Sequence, residues 1–87
     1  MIQKTLTITK KYFDLIASGE KKIEYRKDII FYEKFFTPKP DVITFHYRKG
    51  IYLRCEIKKI VNIKRPKALE KSVFITTNRC YAIHISS

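Results

Sequence analysis

The sequence predicts an α+β fold that is mostly β: a small barrel of five or six mainly antiparallel strands with one or two short helices. Three observations predict it. Apolar residues alternate with a period of two over 2–9, 22–26, 41–47, 51–57 and 80–86, and Val73 to Thr77 reads as a short strand or a loop edge. Helical spacing appears only over 10–18 and around 28–36. Finally, 87 residues with two glycines, no internal repeat, no low-complexity segment and no linker describe one compact domain, 1–87.

In the first run, Ile2, Leu6 and Ile8 share one side and Gln3, Thr5 and Thr7 the other. Lys4 interrupts the apolar side, as suits a fraying edge. Thr9 then serves as N-cap for a helix over Lys10–Ser18, with Tyr12, Phe13, Ile16 and Ala17 as its buried stripe. Lys10 and Lys11 stand in its first turn, where the helix dipole disfavours cations. A nearby anion would relieve that conflict, although two solvated lysines need no ligand. Gly19 falls where a helix commonly closes in a left-handed residue.

The strand at 22–26 turns Ile23 and Tyr25 to one face and Lys22, Glu24 and Arg26 to the other. Three ionisable groups on one face, beside Lys21 at the turn, exceed what a soluble strand needs. They mark the expected site, against the plainer reading of a solvated salt-bridge face. Downstream, Ile29, Tyr32, Phe35 and Phe36 recur at helical spacing, with Asp28 as cap. That stretch reads as a short helix or irregular turn over one barrel opening, its rings serving as core or as a stacking surface. Thr37-Pro38-Lys39-Pro40 then breaks the chain.

Asp41–Tyr47 and Ile51–Ile57 form a hairpin around Arg48-Lys49-Gly50. After Lys58-Lys59 the apolar phase shifts, because Ile60 is out of register with Ile57, and a bulge or bend is expected there. Asn62 to Ser72 reads as a polar loop with one turn around Lys67–Glu70. Tyr81, Ile83 and Ile85 then alternate with Ala82 and His84 in a last strand.

Nineteen Lys and Arg against eight Asp and Glu give a net charge of +11. So strong an excess on so small a domain attracts polyanions at long range, with an affinity that falls steeply with salt. Six Phe and six Tyr are enough for a real core, with some rings left for the surface. Cys55 and Cys80 lack metal-ligand spacing and are most simply small core residues, a disulfide being the lesser alternative. No cofactor and no metal is expected. No apolar run reaches the roughly 18 residues of a membrane span, and the N-terminus reads as a strand. The expected setting is a cytoplasmic monomer, or a nucleoplasmic one if the source has a nucleus.

The run Gly19-x-Lys21-x-x-Glu24-x-Arg26, preceded by a helix with Tyr12, Phe13 and Ile16, resembles the signature of the ASCH domain family. The likeness is strongest over about Leu6 to Arg26 and looser through 42–58 and 80–86. It implies a PUA-like barrel with an RNA-binding or nucleotide-handling role. Members of the family include amidohydrolases acting on acetylated cytidine, and others described as ribonucleases. In the amidohydrolases a lysine matching Lys21 pairs with a threonine nucleophile three residues on, where this chain has Glu24. A carboxylate cannot replace a hydroxyl in acyl transfer, although a Lys–Glu pair can still activate water. Catalytic roles for Lys21 and Glu24 therefore hold only if the chain is an enzyme, which the sequence leaves open. Glu70 is a weak match for the acid those enzymes draw from a late helix.

The reading that results is a module binding RNA or a nucleotide in a cleft between the 10–18 helix and the barrel. Lys21, Glu24 and Arg26 form its floor, with Arg26 as a phosphate fork. Lys10, Lys11, Lys22, Arg48 and Lys49 attract phosphate around the rim, and Tyr47 and Tyr52 stack bases. Two alternatives stand beside it: a small hydrolase of modified nucleosides or RNA, and a protein-binding accessory or inhibitor module. His46 and His84 are read as surface or edge residues before general bases.

Overall fold

In the computed structural model, which describes residues 1–72 and 74–86, the chain forms five strands and two helices. The strands are β1 (Gln3–Thr7), β2 (Ile23–Lys27), β3 (Val42–Arg48), β4 (Ile51–Lys64) and β5 (Arg79–Ile85); the helices are α1 (Lys10–Ala17) and α2 (Ile30–Phe35). One sheet runs in the order β1-β3-β4-β5-β2 and curls into a half-barrel. β1 pairs with β3 in parallel, and every other pairing is antiparallel. Of the possible sixth strand, Val73 lies outside the described residues and 74–77 form no strand. No helix is long and apolar enough to cross a membrane among the described residues.

Local chemistry sets the first elements. The Thr9 hydroxyl accepts the Tyr12 N–H and starts α1, and Gly19 ends the turn after it with φ +86°. Phe13 and Ile16 are buried and Tyr12 and Leu15 half-buried, whereas Ala17, expected in the stripe, is exposed in the last turn. Phe13 and Ile16 join Leu6, Ile43, Phe45 and Ile83 in the core inside the curl. Lys4, half-buried on the β1 edge, hands its ammonium to the Phe35 carbonyl and lies 4.8 Å from the Phe35 ring centre.

Two expectations for the middle of the chain need correction. Asp28 does not cap α2. Ile29 occupies that position with no side-chain cap, while the Asp28 carboxylate accepts from Asn62 Nδ2 (3.0 Å). Of the expected aromatic stripe, Phe36 is buried and Tyr32 and Phe35 are half-buried, but Ile29 is exposed. The loop expected from Asn62 begins later, at Arg65. The register of β4 against β5 shifts between Ile57 and Lys59, where the apolar phase breaks, and the strand then continues to Lys64. Asn62 is tolerated inside it because its side chain is satisfied: Oδ1 accepts from Arg79 Nε (2.7 Å) and Nδ2 donates to Asp28.

Beyond β4, Arg65 folds the connecting loop back, its N–H donating to the Asn78 carbonyl and its guanidinium to that of Ile75. A single 3₁₀ turn occupies Lys67–Leu69. Ile75, Cys80, Ala82 and Ile83 are all buried, so β5 is covered on both faces. Cys55 and Cys80 are free and buried, and burial pushes both thiols up.

Candidate functional site

The strand order leaves β1 and β2 as the two edges of the half-barrel, and a cavity of about 330 Å³ opens along β2. One wall is the β1–α1 junction, with Thr7, Ile8, Thr9 and Tyr12. β2 supplies Glu24, Tyr25, Arg26 and Lys27, and α2 supplies Tyr32. The β4–β5 loop closes the far side with Leu69, Ser72, Phe74 and Ile75. Because the Ile85 N–H bonds to the Lys22 carbonyl, alternation points the backbone of Glu24 and Arg26 at β5. Tyr25 therefore turns its own N–H and C=O to the free edge, on the cavity side.

An ion cluster lies on the floor. Glu24 is 5% exposed, a carboxylate taken almost wholly out of water. Both Arg26 Nε (3.1 Å) and Arg26 NH2 (2.9 Å) reach its Oε2, and Lys21 Nζ sits 3.4 Å from Oε1. Such a pair persists in a low-dielectric site only if its remaining donors are also satisfied. Arg26 meets most of that demand: NH1 donates to the Tyr32 hydroxyl (3.1 Å) and NH2 to the Thr7 carbonyl (2.8 Å), which leaves one NH1 hydrogen without a protein acceptor among the described residues. Arg26 thus ties β2 to the end of β1 and to α2 across the open side of the half-barrel. The Lys21 ammonium lies 4.9 Å from the Tyr12 ring centre and 5.5 Å from that of Tyr25.

The structure brings Lys21, Glu24 and Arg26 together in one cavity and leaves the other expected residues elsewhere. Lys22 precedes β2, is exposed and does not line the cavity. Lys10 pairs with Asp14 at 2.7 Å, which raises its pKa, and Lys11 is exposed. Arg48 and Lys49 are exposed at the hairpin tip, where Gly50 has φ +86°. Tyr47 lies at a bulge between His46 and Arg48 that lets its ring meet Phe13 edge-on at 5.0 Å. Tyr52 is 58% exposed and tilts against His46. None of these residues, nor His84 or Glu70, lines the cavity.

Two corrections of chemistry follow. With Nε, NH1 and NH2 each bonded inside the fold, Arg26 acts as a strut and has one NH1 hydrogen left for a ligand, fewer than the open fork expected. The rings at the cavity are Tyr12, Tyr25, Tyr32 and Phe74, not Tyr47 and Tyr52. Sequence reasoning placed Tyr12 and Tyr32 in apolar stripes and missed the loop residues: Leu69 and Ser72 lie in a stretch without periodic signal, and Phe74 and Ile75 in one read as a possible short strand. The arrangement offers an ammonium and a carboxylate at the bottom of an aromatic slot, suited to a planar ligand with polar edges. Two lining hydroxyls already accept from the backbone: Thr9 Oγ1 from the Tyr12 N–H, and Ser72 Oγ from the N–H groups of Phe74 (3.1 Å) and Ile75 (3.3 Å). No cluster that would hold a metal occurs among the described residues.

The family model of the ASCH domain matches residues 6–83 of the chain. Comparison with curated proteins and with solved structures gives no match.

Proposed function

The chain belongs to the ASCH domain family, and from that premise we propose that it binds RNA or a nucleotide by taking a single base into the cavity along β2. The family stands for PUA-like RNA-binding modules, and the lining of the cavity supports assigning that role to it. One observation carries the reading: a buried Lys21–Glu24 pair on the floor of a slot walled by tyrosines. At about 330 Å³ the slot is near the small end of ligand pockets, roughly 300–1,000 Å³, and so suits one base or nucleoside better than a folded RNA.

The roles follow from the chemistry. Tyr12, Tyr25 and Tyr32 offer stacking faces, which any base satisfies. Lys21 donates to a carbonyl or ring nitrogen, and Glu24 Oε1 accepts from an exocyclic amine, while Arg26 holds the other carboxylate oxygen in place. The N–H and C=O of Tyr25 on the free edge add a donor and an acceptor in the same plane. The net charge of +11 brings the polyanion in. A hydrolase using Lys21 and Glu24 to activate water is less well supported, because Glu24 is already engaged with Arg26.

The test is fluorescence anisotropy of labelled single-stranded RNA, matched DNA and heparin against wild type and Lys21→Met. RNA is expected to bind more tightly than heparin. Lys21→Met should lose about ten-fold or more, the worth of a hydrogen bond from a charged group. If all three polyanions bind alike and Lys21→Met matches wild type, the cavity is not the site.

A further inference from the structure

The mouth of the cavity carries more exposed apolar surface than a single base would cover. Phe74 lines the cavity yet is 53% exposed. Phe31, 58% exposed, meets Tyr32 at 5.1 Å in an edge-to-face contact, and Tyr32 lines the cavity. Exposed aromatic surface is thus present at the slot in Phe74 and next to its Tyr32 wall in Phe31. Isolated surface rings need no explanation, but rings continuous with a ligand slot do.

The ionic surroundings point to one kind of occupant. The loop that carries Phe74 holds Arg65, Lys67 and Lys71 against the single acid Glu70, Lys64 ends the strand before it, and Lys27 stands at the cavity itself. Rings set among cations match a chain that alternates flat bases with phosphates. An acidic peptide would meet the cations, but it offers a ring only where an aromatic side chain occurs, whereas a nucleic acid carries a base with every phosphate.

We propose that the ligand is a single-stranded RNA segment, one base of which enters the slot while neighbouring bases of the same strand stack on Phe74 and Phe31. The inference rests on the base-in-slot reading and adds to it that an oligonucleotide, not a free nucleotide, is the form recognised. Stacking on an exposed ring is sequence-tolerant, so these two positions contribute affinity and the slot supplies discrimination.

The test compares a randomised nine-nucleotide RNA pool with an equimolar mixture of the four nucleoside monophosphates. Both are titrated against wild type, Phe31→Ala, Phe31→Ala/Phe74→Ala and Lys21→Met, with thermal melting to establish that each variant is folded. Wild type is expected to prefer the oligomer. Phe31→Ala should reduce the ratio of oligomer to monophosphate affinity by about ten-fold, and the double variant by more. Lys21→Met should weaken both ligands together and leave that ratio near wild type. If Lys21→Met weakens binding while the phenylalanine variants keep the wild-type ratio, the strand-stacking inference fails and the slot reading survives. If Lys21→Met is without effect, or wild type binds no RNA, both fail. If the rings prove to mediate self-association, seen as a dimer lost in the double variant with oligomer affinity unchanged, the inference is overturned in favour of a protein interface.

Discussion

Two regions of this domain share a sequence chemistry, cations interleaved with tyrosines, and differ in what the fold does with it. At the hairpin tip and the start of α1, Lys10, Lys11, Arg48 and Lys49 remain in solvent. Their neighbour Tyr47 turns to Phe13, and Tyr52 stays exposed. Along β2, Lys21 and Arg26 are drawn inward, ring-packed and paired. The difference is one carboxylate. Glu24 can be buried because two cations flank it, and they are held because it is there. Charge excess marks a polyanion-binding surface, whereas a buried acid among cations marks a built cavity floor.

Removing that acid strikes the comparison hardest. Glu24→Ala leaves Lys21 and Arg26 without their counter-charge, and a loss of about 3–5 kcal/mol is expected from the urea midpoint. Arg26→Lys keeps the charge but not the planar fork that reaches Glu24, Tyr32 and Thr7 together, and should fall between that variant and wild type.

The rim should behave in the opposite way. Lys11→Ala/Arg48→Ala/Lys49→Ala is expected to stay within about 0.5 kcal/mol of wild-type stability per substitution. In RNA titrations at several salt concentrations its affinity should fall at low salt, with the slope shallower by roughly one for each phosphate left without its cation. A rim variant as unstable as Glu24→Ala would erase the distinction between the two regions.

The smallest effect lies on β5. Burial, then Lys59 and Lys58, holds the His84 imidazole below its ordinary value of 6.5, so the folded state favours the neutral ring. That contribution is complete above the ordinary value and is lost as pH falls through the lowered one. His84→Gln should therefore flatten slightly the fall in melting temperature between about pH 7 and pH 5. An unchanged profile would mean that neither burial nor the two lysines shift His84.

What the sequence made legible was local. Thr9 as a cap, Gly19 as a stop and the phase break after Ile57 are decided by residues within a turn of one another. So is the grouping of Glu24 with Arg26, which a period of two places on one face. The cavity was not legible in the same way. Its walls come from four separated segments, brought together by a parallel β1–β3 pairing and by a loop that Arg65 folds back. Tyr47, on the face of Ile43 and Phe45, packs against the core at Phe13 instead of lining the cavity, and Asn62 misled because its polarity is answered by distant Asp28 and Arg79. Arg26 was found but its ties to Tyr32 and Thr7 were not, since a free fork and a largely bonded one look alike in sequence.

The shift of register at Lys58 has a further consequence. β4 is a single 14-residue strand that pairs with β3 before the shift and with β5 around and beyond it. It is the seam through which the hairpin half and the β2–β5 half hold each other. Amide protons along β4 should exchange only when the whole domain opens, because neither half can let go of that strand alone. A small kink in the ladder thus makes two modest sheets into one cooperative unit.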